Sequence, residues 1–218
     1  LLSFMPTPKR NYLDSGCYHI THRCHQGRFF FQFAKYHRLY LDVLREAVQR
    51  YKVHVLNYVV TSNHLHLLLW ARRGDDIPAA VQYVHGTVAP AYNRRKKRKG
   101  AFWTDRHHGT LIQDGHHLSR CFFYIDFNML RAGVVEHPAD WDVSGSRELL
   151  GFRQRYRVIN RERLLKCLGV SEPGRFDAWY RRTLDQKVQQ RCHVREPFWS
   201  EAMAVGDPEW LQTVADRV

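Results

Sequence analysis

Between residues 53 and 70 the chain spells out a β-hairpin with little room for anything else. Val53 to Val60 (VHVLNYVV) is dense in β-branched residues, Thr61-Ser62-Asn63 supplies a turn, and His64 to Trp70 (HLHLLLW) returns as a second strand. Successive side chains of a strand point to opposite faces, so His64, His66, Leu68 and Trp70 share one face and Leu65, Leu67 and Leu69 the other. A face of three leucines must be covered, and helices are the cover this chain offers. The hairpin therefore demands a sheet with helices packed on it, and it projects two imidazoles side by side from a rigid strand.

The remaining segments fill in that plan. Gly16 to Thr21 (GCYHIT) and Arg28 to Phe33 (RFFFQF) read as strands joined by the polar stretch Arg23–Gly27. From Tyr36 to Tyr51 the positions Leu41, Leu44, Ala47, Val48 and Tyr51 follow helical spacing. Asp75-Asp76-Ile77-Pro78 opens a second helix that buries Ile77, Val81, Val84 and Val88 and is expected to kink near Pro90. A short strand at Gly109–Gln113 precedes a helix from His116 to Ala132, stopped by Gly133, with a core stripe of Leu118, Phe122, Ile125 and Met129. Helices are also expected at 161–168, 175–188 and 208–216. The order β-β-α-β-β-α-β-α is not a simple alternation, which argues against a doubly wound parallel sheet and for an α+β fold with a mainly antiparallel sheet. A boundary falls in 135–150, giving a domain over 1–150 and a helical C-terminal extension over 151–218.

Composition narrows the partners. Lys and Arg total 34 against 21 Asp and Glu, a formal charge of +13, and 44% of residues are hydrophobic, enough for a folded core. A basic excess of this size points to a polyanion. It concentrates in Arg94-Arg95-Lys96-Lys97-Arg98-Lys99, followed closely by Phe102-Trp103. Dipole complementation at a helix end accounts for a cation or two, not for six in a row. The aromatic pair can stack on unpaired bases or pack in the core, and both readings stay open. No apolar run approaches the roughly 18–20 residues of a membrane-spanning helix, and Leu1–Arg10 has no signal-peptide pattern. Cys17, Cys24, Cys121, Cys167 and Cys192 are odd in number, widely spaced and without a CxxC pair, as expected of a reducing cytoplasm.

Two constellations carry chemistry. His64 and His66, two residues apart on a strand, suit two ligands of one metal ion. The chain has 14 histidines, so a chance pair that binds nothing is the competing reading. On the 116–132 helix, Tyr124, Asn128 and Arg131 sit at i, i+4 and i+7, on one face and off the apolar stripe. A tyrosine can act as a covalent nucleophile and an amide oxygen as a third ligand. His22-Arg23-Cys24-His25 reads as a polar loop, and His107-His108 and His116-His117 as solvated or DNA-facing pairs. Walker-type, GxGxxG and GxSxG motifs are absent from the sequence.

Taken together these segments resemble the single-tyrosine HUH transposases, in particular the REP-associated tyrosine transposase branch. Asn63-His-Leu-His-Leu-Leu-Leu is similar to the family's HUH motif, and Tyr124-Ile-Asp-Phe-Asn128-Met-Leu-Arg131-Ala-Gly-Val-Val to its catalytic helix. Phe102-Trp103-Thr-Asp-Arg106, Pro138-Ala-Asp-Trp141-Asp-Val-Ser144 and Ala204-Val-Gly-Asp-Pro-Glu-Trp210 resemble flanking segments. Met129 departs from the family's usual proline. The resemblance implies a ferredoxin-like core with the HUH strand central and the tyrosine helix facing it. It implies Tyr124 as nucleophile, His64, His66 and Asn128 as ligands of Mg²⁺ or Mn²⁺, and cleavage of single-stranded or hairpin DNA at REP-like palindromes through a 5′-phosphotyrosine. The DNA-contact set is then Arg23, Arg94, Arg95, Lys96, Lys97, Arg98, Lys99, Trp103, Arg106 and Arg131. The protein would act in the bacterial cytoplasm, on the nucleoid, as a monomer or homodimer. A noncatalytic hairpin DNA- or RNA-binding protein on the same fold, and a structural zinc protein built on the histidine pair, are the competing classes.

Overall fold

The computed structural model describes residues 11–190 and 194–217; the expectations about Leu1–Arg10 and Cys192 lie outside the described residues. Strand β1 (Gly16–Arg23) leads into helix α1 (Ala34–Tyr51), the hairpin β2 (His54–Val60) and β3 (His64–Ala71), helix α2 (Asp76–Arg95) and strand β4 (His108–Ile112). Helices α3 (His116–Asp126) and α4 (Asn128–Arg131) follow, then α5 (Gly145–Leu149), α6 (Arg161–Cys167), α7 (Pro173–Gln189), α8 (Phe198–Glu201), a two-residue strand β5 (Ala204–Val205) and α9 (Pro208–Ala215).

The described strands form one mixed sheet in the order β2-β3-β1-β4-β5. Its first four strands pair antiparallel, and β5 adds to β4 in parallel. The β-α-β-β-α-β order with β1 and β3 at the centre is the ferredoxin-like arrangement, and it is an α+β fold as the segment order required. Among the described residues no helix is long and apolar enough to cross a membrane.

The sheet separates two apolar layers. Leu65, Leu67 and Leu69 pack with Tyr18 and Ile20 of β1 against Leu44 and Ala47 of α1 and Val81, Val84 and Val88 of α2. The opposite face, with Cys17, Leu68 and Trp70, is covered by Leu118, Phe122 and Ile125 of α3, and beyond them by Leu164, Phe176, Tyr180 and Trp199. Helix α3 is thus apolar on nearly all sides, because α7 stacks on its outer surface: the Phe123 and Tyr180 rings lie 5.8 Å apart and nearly parallel.

Two sequence expectations fail here for visible reasons. Arg28–Phe33 is not a strand. Both edges of β1 are already taken by β3 and β4, so no ladder is open to it. Phe30 and Phe31 instead wedge into a cluster with Tyr92, Phe102 and Trp103, leaving Phe29 and Phe33 exposed. The 116–132 helix is interrupted at Phe127, whose ψ of 3° leaves the helical well. The Phe127 N–H to Phe123 and Arg131 N–H to Phe127 hydrogen bonds survive at 3.0 and 2.9 Å, so the faces of α3 and α4 stay aligned. Pro90 lies within α2, which runs unbroken from Asp76 to Arg95.

A bulge fixes α3 on the sheet. The β2–β3 register slips between Val55 and Asn57, which turns Asn57 toward α3. Its Nδ2 donates to the Phe122 carbonyl and to Asp126 Oδ1, both at 3.0 Å, and Tyr180 O–H donates to Asp126 Oδ2 at 2.9 Å. Burial pushes the Asp126 carboxyl up to about 7 despite these two donors. A carboxyl raised in the folded state binds a proton that the unfolded chain, near 3.8, has released, so folding gains stability as pH falls from above 7 toward 4. Asp126→Asn should abolish that component: the stability difference between variant and wild type, measured by urea denaturation, should favour the variant by up to a few kcal/mol at pH 8 and shrink steadily toward pH 5.

Candidate active site

The α3-side face of the sheet opens at the β1 and β3 ends into a cleft of about 560 Å³. His64 and His66 enter it from β3, Tyr124 from α3, and Asn128 and Arg131 from α4. The alternation of β3 fixes the two histidines, with Arg23 opposite His64 and Thr21 opposite His66 on β1.

Both imidazoles are held by neighbours. His64 Nδ1 lies 2.7 Å from Asn63 Oδ1 and 2.9 Å from Thr61 Oγ1. The Asn63 amide is itself oriented, since its Nδ2 donates to the Gly27 carbonyl at 3.1 Å. An amide oxygen only accepts, so His64 carries its proton on Nδ1 and keeps a lone pair on Nε2. His66 Nδ1 lies 2.8 Å from His19 Nε2, and its own Nε2 lies 2.9 Å from Asn128 Nδ2. Burial brings His64 and His19 down to about 4 and lowers His66 well below the usual imidazole value, so all three are neutral at pH 7.

Asn128 and Arg131 carry unmet bonding capacity. Asn128 Oδ1 is buried and has no hydrogen-bond partner, and Arg131 Nη2 is in the same condition. A desolvated amide oxygen beside imidazole lone pairs is costly for the chain alone. The same set of two nitrogens and an oxygen, opening on a cleft, fits a divalent cation with coordination positions to spare. The Arg131 guanidinium lies over the Tyr124 ring, 3.9 Å from its centroid. Burial raises the Tyr124 phenol, and the Arg131 charge works against that rise.

Of the other predicted contact residues, exposed Arg23 and Arg106 line the cleft with Arg131. The basic run sits elsewhere, at the end of α2 and in the turn after it. Arg94, Arg95, Lys96, Lys97 and Lys99 are exposed. Arg98 is used internally: its guanidinium donates to Asn93 Oδ1, Gly100 O and Ala101 O and covers the Phe30 ring. Trp103 is also taken up by packing. Its indole stacks on His22 at 4.3 Å and donates from Nε1 to the His85 carbonyl at 3.2 Å.

The minor histidine readings change as well. His22 and Cys24 are buried, not loop residues, and His22 Nδ1 meets His85 Nδ1 at 2.8 Å. His107, His108 and His117 bond Tyr12 O–H, the Ala202 carbonyl and Asp207 within the chain. At the far end of β1, the donor atoms of Cys17, Asp114 and Cys167 lie within 4.8 Å of one another. Hydrogen bonding to Cys167 and burial keep the Cys17 thiol protonated, and it donates to Asp114 Oδ1 at 3.0 Å.

Sequence reasoning missed the residues that frame the cleft from a distance in the chain. His19 shares the cleft-side face of β1, but that is visible only once the β1–β3 register is known. Trp199, fully buried, places its ring 6.2 Å from Tyr124. Its carbonyl meets His19 Nδ1 at 2.7 Å and Thr110 Oγ1 at 3.1 Å, and its Nε1 donates to Glu196 Oε2 at 2.8 Å. Arg195, Ser200 and Glu201 from the same segment line the cleft.

The profile of the IS200-like transposase family matches residues 13–127, the span from β1 through the Tyr124 helix. The chain belongs to that family. As an IS200-like transposase it is a DNA-processing protein. Its fold is similar to that of a REP-associated tyrosine transposase solved bound to a REP hairpin, with a TM-score of 0.58 and 18% identity, covering 67% of this chain and 86% of that one. A putative transposase from Deinococcus radiodurans R1 is 18% identical over 53% of this transposase and 91% of its own length, with a TM-score of 0.39. No curated protein matches the chain significantly.

The burial of Trp199 against α3 and β4 anchors the segment that closes one side of the cleft. Trp199→Ala should cost about 3–5 kcal/mol of unfolding free energy, measured by guanidinium denaturation.

Proposed function

We propose that this transposase cuts and rejoins single-stranded DNA at REP-type hairpins, with Tyr124 as the nucleophile. The observation that carries the reading is the meeting, in one basic cleft, of Tyr124 under Arg131 with the His64, His66 and Asn128 donor set. His64, His66 and Asn128 would hold a Mg²⁺ or Mn²⁺ ion, which when bound would draw charge from a phosphodiester and leave its phosphorus open to attack.

The chain's own groups account for the rest. Tyr124 Oη forms a bond to phosphorus as the bond from phosphorus to the 3′ oxygen breaks. The phenol gives up its proton, and the departing oxygen takes one up to become a free 3′-OH, leaving a 5′-phosphotyrosine. That ester conserves the energy of the broken bond, so the reverse attack rejoins strands without a nucleotide cofactor. Arg131 is suited to this step. Its charge favours the phenolate over the phenol, and its guanidinium lines the cleft beside Tyr124, where it would pair with a phosphate oxygen.

Arg23 and Arg106 border the cleft and would take the strand's backbone there. The exposed cations of the 94–99 run would take a more distant stretch, as a stem of the hairpin would offer. The similar REP-associated transposase, solved with a REP hairpin, supports that choice of substrate. The protein would do this work in the cytoplasm, on the nucleoid. The second reading, a noncatalytic hairpin-binding protein, shares the charge and the sheet but gives no role to Tyr124.

Incubated with end-labelled hairpin oligonucleotides and Mn²⁺ or Mg²⁺, the wild type should form a covalent protein–DNA adduct on a denaturing gel, and Tyr124→Phe should form none while binding the hairpin as before. Tight binding without any adduct from the wild type would instead favour the noncatalytic reading. Replacing Arg94, Arg95, Lys96, Lys97 and Lys99 together by alanine should weaken binding of all hairpins alike. It should also flatten the slope of log K against log salt by roughly 0.7–0.9 for each phosphate that the variant no longer neutralises.

A further inference from the structure

We propose that His19, anchored by the main-chain carbonyl of Trp199, is a positioning residue that locks His66 in its Nδ1–H tautomer and so keeps the Nε2 lone pair turned to Asn128. The proposal rests on reading His64, His66 and Asn128 as the ion-holding set, and it makes the C-terminal segment part of that set's construction.

The protons can be followed along one chain of hydrogen bonds. The Trp199 carbonyl can only accept, so the 2.7 Å contact requires a proton on His19 Nδ1. A second proton on His19 would place a full charge in a fully buried position with no carboxylate among its bonding partners. His19 Nε2 is therefore an acceptor. Its 2.8 Å partner, His66 Nδ1, must donate, and a neutral imidazole that donates from Nδ1 has its lone pair on Nε2. The far end of the chain agrees: the atom 2.9 Å from His66 Nε2 is the N–H-bearing nitrogen of Asn128.

The two rings also lie nearly parallel, with centroids 5.0 Å apart and an angle of 16° between their planes, which fixes the rotation of His66 as well as its proton. The origin of the relay is itself secured. The Trp199 carbonyl takes a second bond from Thr110 Oγ1, and the Trp199 side chain is buried and tied to Glu196. His64 reaches the same tautomer by a different route, through Asn63 Oδ1. The two imidazoles thus present like atoms, one set by the hairpin turn and the other by a residue 180 positions from His19 in sequence. Without the relay, His66 would be free to take the Nε2–H form that imidazole favours in water, which has no lone pair at the ligand position.

Long-range ¹H–¹⁵N correlation spectra of the metal-free, ¹⁵N-histidine-labelled full chain test this directly. His19 and His66 should both show the neutral Nδ1–H pattern at pH 7.5. His66 in the Nε2–H form, or His19 doubly protonated, would overturn the proposal. His19→Phe keeps the ring and removes the acceptor, while Thr110 still serves the Trp199 carbonyl. It should erase the Nδ1–H signature of His66 and weaken Mn²⁺ binding, followed by electron paramagnetic resonance, by roughly 10- to 100-fold. His19→Gln, which puts an amide oxygen near the place of Nε2, should recover most of both. Equal Mn²⁺ affinity in wild type and His19→Phe would also overturn the proposal. A wild type that binds no Mn²⁺ would defeat the ion-holding reading, and the tautomer spectrum, which needs no metal, would then alone decide the relay.

Discussion

The antiparallel pairing of β1 with β3 is the constraint from which the cleft follows. It sets Thr21 beside His66 and Arg23 beside His64, and it brings His19 one pleat away from His66. A slip of one residue in that register would turn every side chain of β3 to the other face. The imidazoles would then point into the α1–α2 layer and three leucines into the cleft. What forbids the slip is the leucine face itself, buried against α1 and α2 at 1% exposure or less. The apolar side of the strand holds the polar side in place.

Against that fixed strand, the helix that carries Tyr124 is set by polar groups in an otherwise apolar layer. Apolar packing alone tolerates sliding and rotation. Asn57, turned by the bulge, and Asp126, gripped also by Tyr180, define one position along the sheet. The cost is a carboxyl driven up to about 7 by burial. A fully bonded buried polar group trades stability for a unique arrangement, and here the arrangement determines where Tyr124 and Asn128 meet the histidines.

The C-terminal segment plays a comparable part on the other side. Trp199 fills space between α3 and β4, and its backbone answers His19 and Thr110. The cleft therefore draws on three distant parts of the chain, and two buried polar atoms of its lining residues, Asn128 Oδ1 and Arg131 Nη2, have no hydrogen-bond partner. The exposed cations at the end of α2 form a separate surface.

Much of this was legible in the sequence because it depends on local periodicity. The alternation of HLHLLLW set which side chains share a face, and the i, i+4, i+7 spacing of Tyr124, Asn128 and Arg131 survived even the break at Phe127, since the hydrogen bonds across it persist. The aromatic segment Arg28–Phe33 misled for the opposite reason. Its composition suits a strand, but strand formation needs a free edge, and the edges of β1 were occupied. Of the two readings open for Trp103 the structure shows packing, and His107, His108 and His117 find internal partners that no local pattern reveals, while His116 is exposed. The hairpin, its two faces and the helix bearing the tyrosine could be read from the order of residues, because interactions within a few positions set all three. That His19, Asn57, Asp126 and Trp199 belong to the same construction could not be read there. Their hydrogen bonds span 47 to 180 residues and exist only once the sheet register and helix packing bring them within 3 Å.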